Sequence, residues 1–320
     1  MKESIMTNMK KLGLTALAGS LVATSAYAGA LDVSGTAKVT YASQDESEVN
    51  GNPYSMSTGI GFSGSGDLDN GMTINYTYSM TNAAFSSSNL KLDMGDSGAI
   101  YFGNGDGSTG ISAYDDVMPT AGEEVWDDLD GQANGIATIS KTNTFGYKGS
   151  FAGMGVSASY NKDSGAGTAG SATEGSSKSI VLSSADMVDG MDIGFGMGDA
   201  SGSTTNNGTD MQTVYAKYTA GSVTAGAQLT QIDKSAANSD VDRTHIAVSV
   251  AVNENLSVSL GQSVVEFEAS AKDDQESTGV AISYTMGSMT IAAFNNTEEN
   301  SGGTQGSDDS VTEVSVAFAF

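Results

Sequence analysis

Val311-Thr312-Glu313-Val314-Ser315-Val316-Ala317-Phe318-Ala319-Phe320 alternates almost without a break, and its reading decides the fold. Val314, Val316, Phe318 and Phe320 fall on one face of an extended chain, and Ser315, Ala317 and Ala319 on the other. A period of two belongs to a strand whose faces meet two different surroundings. An alternating strand that closes on an aromatic, with no polar tail behind it, is expected where the outer face meets hydrocarbon. The first expectation is therefore a transmembrane β-barrel.

Working back from that strand, the same alternation recurs and predicts sixteen strands. The first covers Leu31 to Tyr41, with Leu31, Val33, Ala37, Val39 and Tyr41 on one side and Asp32, Ser34, Thr36, Lys38 and Thr40 on the other. Others centre on residues 56–62, 74–80, 90–94, 100–102, 145–147, 156–160, 180–182, 193–197, 214–218, 223–229, 246–252, 256–260, 280–286 and 289–293. An even count returns both chain ends to one side of a membrane. The connections alternate in length. Short ones such as Asp69-Asn70-Gly71, Asp189-Gly190 and Gly287-Ser288 carry tight-turn residues. Long polar ones are expected at 43–53, 81–88, 104–141, 163–177, 199–209, 233–241, 268–276 and 296–310. Short turns on one side and long loops on the other are the pattern of an outer-membrane barrel. The alternation weakens only at Val264 to Glu268, where a register slip at a bulge or a strand end is expected.

The first 28 residues form a separate unit. Lys10 and Lys11 close a basic segment, Leu12 to Val22 are apolar, and Ala26-Tyr27-Ala28 is a cleavage signature. Residues 1–28 are read as a secretory signal peptide, with Met9 as an alternative start, and 29–320 as one barrel domain. Pro is nearly absent at 2 residues and Cys wholly so, leaving no disulfide to hold a secreted chain. Asp and Glu number 38 against 13 Lys and Arg, a net charge of −25 that argues against nucleic acid as a partner.

Charge also assigns the faces. Lys38, Lys91, Lys148, Lys217 and Arg243 all lie on the register opposite the apolar set, among Ser57, Gly59, Asn75, Thr77, Ser157, Gly194 and Gly196. A lipid-facing Lys or Arg at the bilayer midplane costs about 2–4 kcal/mol, so these side chains are expected to point inward. So much Gly and Ser on that face is read as unable to pack a dry core, which places water inside. The segment 104–141 is the longest connection, read either as a solvated acidic surface loop or as a functional loop folded into the barrel with its carboxylates facing basic wall residues. It combines anchors (Ile111, Tyr114, Val117, Met118, Trp126, Ile136) with carboxylates at Asp115, Asp116, Glu123, Glu124, Asp127, Asp128 and Asp130.

Gly110-Ile111-Ser112-Ala113-Tyr114-Asp115-Asp116-Val117-Met118-Pro119, followed by Glu123-Glu124-Val125, resembles the constriction loop of alphaproteobacterial general porins. Leu31-Asp32-Val33-Ser34-Gly35 and the terminal Phe320 resemble the ends of the same family. The resemblance implies an all-β, 16-stranded antiparallel transmembrane barrel with an inward-folded constriction loop in the outer membrane of a Gram-negative bacterium. It also implies a homotrimer that passes small hydrophilic solutes and ions by diffusion. Carried over, it makes Asp115, Asp116, Glu123 and Glu124 the acidic side of the pore constriction. The basic side would come from Lys38, Lys91, Lys148, Lys217 and Arg243. This chain departs from the family in its scarcity of Arg, and an acidic constriction is expected to favour cations. Small outward residues on the first strands (Gly35, Ala37, Thr58) offer a surface for a neighbouring subunit.

The carboxylates near Asp127, Asp128 and Asp130 also suit a structural Ca²⁺. Asp128-Leu129-Asp130-Gly131 is a fragment of a calcium-loop pattern without its downstream Glu. No cofactor and no enzyme are expected: the single histidine, His245, sits on a strand with inward register and is read as pore-lining, and there is no thiol. Two other functions stay open. A substrate-specific channel would want aromatics along the pore, where only Tyr101 and Tyr215 stand out. A secreted acidic adhesin or surface-layer protein would want an internal repeat, which is not found.

Overall fold

The computed structural model describes residues 31–44, 52–105, 108–131, 136, 142–162, 176–185, 188–201 and 208–320. The expected signal peptide, and the central parts of the expected loops at 43–53, 163–177 and 199–209, lie outside the described residues. No described helix is long and apolar enough to cross a membrane, which says nothing of crossing by strands. Sixteen strands follow one another: β1 (Asp32–Gln44), β2 (Tyr54–Asp67), β3 (Thr73–Thr81), β4 (Ala84–Asp93), β5 (Ala99–Asn104), β6 (Thr144–Phe151), β7 (Met154–Asn161), β8 (Ser176–Ser184), β9 (Met191–Ser201), β10 (Thr209–Ala220), β11 (Val223–Lys234), β12 (Val241–Ala251), β13 (Leu256–Phe267), β14 (Gln275–Met286), β15 (Met289–Glu299) and β16 (Asp309–Ala319). Each pairs antiparallel with its chain neighbours, and β1 closes on β16 with Val39 opposite Val316 and Tyr41 opposite Val314. A closed barrel satisfies every ladder hydrogen bond and leaves no edge, the only way strands can cross hydrocarbon.

The two faces follow the alternation. Val39, Met56, Ile60, Leu229, Ile246, Leu260, Ile282 and Val314 are exposed on the outer wall. Their inward partners include Lys38, Ser57, Gln228, His245, Ser315 and Gly261. Across β10 to β15 the outward residues change in tiers. Val214, Leu229 and Ile246 give way to Gln212, Gln231 and Thr244, and then to Asp210, Asp233 and Asp242 at the end of the long connections. The strands therefore run beyond the apolar belt, which explains why several are longer than their apolar alternation predicts.

Three expectations need correction. The connection expected at 81–88 is a two-residue turn, Asn82-Ala83, both with positive φ (51° and 63°). That twist suits a tight hairpin. The reading failed because a bulge at Ser79/Met80 breaks the alternation of the polar run that follows. No bulge occurs at Val264 to Glu268, since β13 pairs in unbroken register with β12 and β14, and the segment instead contains the end of the strand at Phe267. There the surroundings change rather than the register: Val265 faces inward into a packed core, and Glu266 faces outward above the apolar belt. Finally, β15 continues to Glu299, so Asn296 and Glu298 are wall residues rather than part of the loop expected at 296–310.

Candidate functional site

The connection between β5 and β6 spans residues 105–143. Its described part, 108–131 and Ile136, lies against inward-facing side chains of the wall. Gly110–Tyr114 forms a 3-10 turn. Gly110 N–H donates to Ser157 Oγ on β7 (2.9 Å) and Ile111 N–H to Ser179 Oγ on β8 (2.9 Å). The Tyr114 hydroxyl donates to Leu182 O (3.0 Å), and Gln228 Nε2 on β11 donates to Tyr114 O (2.9 Å). Ala121 N–H reaches Ser259 Oγ on β13 (2.9 Å), and Asp130 N–H reaches Asp309 Oδ2 on β16 (2.7 Å). A connection that leaves β5 is thus fastened in turn to β7, β8, β11, β13 and β16. Backbone groups that would lose water are paired by the wall.

Glycines provide the space for this contact. A Cβ at Gly196 would stand 2.8 Å from Val181 and 3.2 Å from Ile111. At Gly226 it would stand 2.9 Å from Pro119, and at Gly261 2.9 Å from Val125. Ile111, Tyr114, Met118 and Ile136 from the loop pack with Val181, Met211, Tyr215, Ile232, Val241 and Val265 from the wall into one buried cluster. The expectation that the Gly-rich inner face packs no dry core is overturned here. Gly194 and Gly196 are the floor of an apolar core, because the roof comes from the loop.

The carboxylates divide into two sets. Asp115 lies in the field of Arg243, whose other carboxylate neighbour is Glu298. Glu123, Glu124 and Asp127 converge, with one oxygen from each within 4.8 Å of the others. A closed turn holds them: Glu124 N–H donates to Asp127 Oδ2 (3.1 Å), and Asp127 N–H donates to Glu124 O (3.1 Å). Burial, with Asp116 and Asp127 beside it, pushes the Glu124 carboxyl up to about 8, and burial raises Asp127 as well. Like charges this close cannot all ionise freely. Asp128 and Asp130 do not join this group, so Asp127 meets Glu123 and Glu124 instead of the calcium-loop fragment downstream. The three carboxylates are a donor set suited to a hard cation.

The expected basic residues are scattered. Lys38 on β1 pairs with Glu313 (2.8 Å) and reaches Glu123 of the loop (3.6 Å). Lys91 pairs with Asp93 beside it on β4 (2.8 Å), and Lys148 sits over the Tyr101 ring (5.6 Å). Lys217 pairs with Asp192 (3.1 Å) near Tyr215, which meets Tyr114 edge to face at 4.9 Å. Arg243 is only 3% exposed and lies behind the loop. His245, expected to line the pore, does face inward but is 1% exposed, closed off by the Trp126 ring at 4.3 Å. Sequence reasoning missed Gln228, Ser259, Asn296 and Glu298, the wall groups that hold the loop. Their inward register was the one signal available for the first two.

A closed antiparallel barrel with an apolar outer belt and a loop folded against its inner wall defines a transmembrane channel. A sequence model described as Gram-negative porin matches residues 13–320, and the chain belongs to that family. Among solved structures, an anion-selective porin from Comamonas acidovorans is similar with a TM-score of 0.69 at 15% identity, covering 91% of this chain and 100% of that one. The OmpT outer membrane protein of Vibrio cholerae, in trimer form, is similar with a TM-score of 0.67 at 11% identity, over 91% of this chain and 99% of that one. A mutant of the Rh. blastica porin gives 0.64 at 14% identity, over 91% and 100%. Comparison with curated proteins finds no significant match. The chain is therefore a porin of the Gram-negative outer membrane, a channel for solute diffusion.

Proposed function

We propose that this porin is a non-specific, cation-preferring diffusion channel of the alphaproteobacterial type, with the loop 104–141 as its constriction. The convergence of Glu123, Glu124 and Asp127 on one turn supports this most strongly, with exposed Asp116 contributing to the same field. Opposing cations are already engaged: Lys91 by Asp93, Lys217 by Asp192, and Arg243 behind the loop. Lys38 reaches the loop but shares its charge with Glu313. Carboxylates that crowd a narrow aqueous path concentrate cations. The Comamonas porin is anion-selective, and selectivity resides in side chains at the constriction rather than in the barrel they share. Tyr215, one of two aromatics considered for a substrate slide, is buried under the loop, which disfavours a substrate-specific channel.

The mature chain begins after residue 28 in this reading and assembles as a homotrimer. Outward positions of β1 to β6 carry no charged side chain, and Tyr41–Tyr54, Phe62–Tyr78 and Phe102–Phe145 ring pairs cover that sector. Such a face suits contact with a neighbouring subunit. Planar-bilayer recording tests the function. Under a KCl gradient the reversal potential should show cation preference, and neutralising Glu123, Glu124 and Asp127 together should move it toward zero. A chloride preference in the unmodified channel would refute the proposal.

A further inference from the structure

The backbone of the turn that gathers the three carboxylates accepts hydrogen bonds from one wall amide. Asn296, almost fully buried on β15, donates from Nδ2 to the carbonyl oxygens of both Glu124 (2.9 Å) and Asp127 (3.1 Å). The two carbonyls bracket the turn, so one planar amide sets its position and orientation together. Space for that amide is provided across the ladder. Gly279 is the register partner of Asn296 on β14, and a Cβ there would collide with Asn296 Oδ1 and come within 3.0 Å of Val125. Trp126 lies within the same turn, buried against His245.

We propose that Asn296, seated by Gly279, is the positioning residue that sets the ion preference of this pore. It fixes the place on the wall of the self-closed turn that carries Glu123, Glu124 and Asp127, without itself lining the path of the ions. The inference rests on the proposed role of those carboxylates in selectivity. A buried hydrogen bond is expensive to leave half-made, and here one amide donor serves two backbone carbonyls, that of Glu124 also accepting from Asp127 N–H. Without that donor the turn, still closed by its own hydrogen bonds, loses its fixed place on the wall, and its carboxylates move with it.

The experiment uses the full barrel in planar bilayers, where only folded channels are recorded. Asn296→Leu keeps the approximate volume, removes the donor and adds no charge. It should lower the cation-to-chloride permeability ratio several-fold and shift Trp126 emission to the red. That emission has no other source, because the chain contains 1 Trp. Gly279→Ala leaves Asn296 in the chain but displaces its amide, and should change both readouts in the same direction. It decides the matter if Asn296→Leu does not insert. Unchanged selectivity and emission in these variants, alongside a loss of preference in the Glu123→Gln, Glu124→Gln, Asp127→Asn triple variant, would overturn the role of Asn296 alone. An unchanged reversal potential in the triple variant would instead overturn the selectivity reading on which the role depends.

Discussion

The inner wall from β1 to β5 and the inner wall from β7 to β16 are made of similar residues but have different fates. On the first, Ser57, Gly61, Asn75, Thr77 and Lys91 all retain access to solvent. On the second, Ser157, Ser179, Thr230, Ser263 and Ser277 are buried, along with Arg243 and His245. The difference lies in the loop after β5, which is fastened to β7, β8, β11, β13, β15 and β16, touches the opposite wall at Lys38 (3.6 Å from Glu123) and leaves these five residues open to solvent. A small, polar inward residue is therefore no sign of water by itself. It lines the lumen on one side and seats a buried loop on the other.

The largest effect should come from removing the roof. Replacing residues 111–131 with a short Gly-Ser linker should raise single-channel conductance several-fold and weaken cation preference. Unchanged conductance would mean that the loop does not occupy the lumen, and the two walls would then be equivalent. A milder pair of changes sharpens the contrast. Gly196→Ala should cost about 1–3 kcal/mol by overpacking against Val181 and Ile111. Gly61→Ala, which meets only the mobile Ser34 hydroxyl, should be close to neutral. The temperature at which each barrel changes its gel migration compares them, and equal shifts would count against a packed seat on one side only.

A smaller effect concerns pH. Because the Glu124 carboxyl is pushed up to about 8, it holds its proton through neutral pH in the folded loop. Its contribution to loop seating is full in acid, below the ordinary carboxylate range, and is lost as pH rises through about 8. The same rise adds a negative charge on the loop. Cation preference should therefore increase between neutral and alkaline pH, and Glu124→Gln should flatten that dependence in reversal-potential measurements. The least change is expected at Lys148 on β6, between the two walls. Among the described residues Lys148 makes no ion pair, and Lys148→Gln should raise cation preference slightly without moving Trp126 emission.

Much of this architecture was legible in the chain. Alternation such as Val314-Ser315-Val316-Ala317-Phe318 separates the two faces, and the Gly, Asn and Asp of the short turns place the hairpins. The loop declared itself through its length and through Trp126, Tyr114 and Ile111, which are wasted in a solvated connection. What stayed hidden depends on contacts between residues far apart in sequence. Nothing near Gly196 announces that Ile111 will rest on it. Asn296 lies three residues past Ala293, the last member of the apolar alternation of β15, so period-two reading stops short of it. Asn82-Ala83 was missed for a local reason, since the bulge at Ser79/Met80 moves Phe85 opposite Met80 and erases the expected rhythm. Arg243 and Lys217 share the inward register of Lys38 and Lys91, and register alone does not distinguish a lumen from the underside of a loop.

The contrast between the two walls can be put to a direct test, because the chain contains no cysteine and a single introduced thiol is unique. Ser57→Cys on β2 and Ser263→Cys on β13 both face inward, yet only the second position lies buried. A charged, membrane-impermeant thiol reagent applied to channels in a bilayer should modify the first and reduce its conductance. The second should remain unmodified. Equal modification at both positions would contradict a loop that covers one wall and leaves the other to the solute.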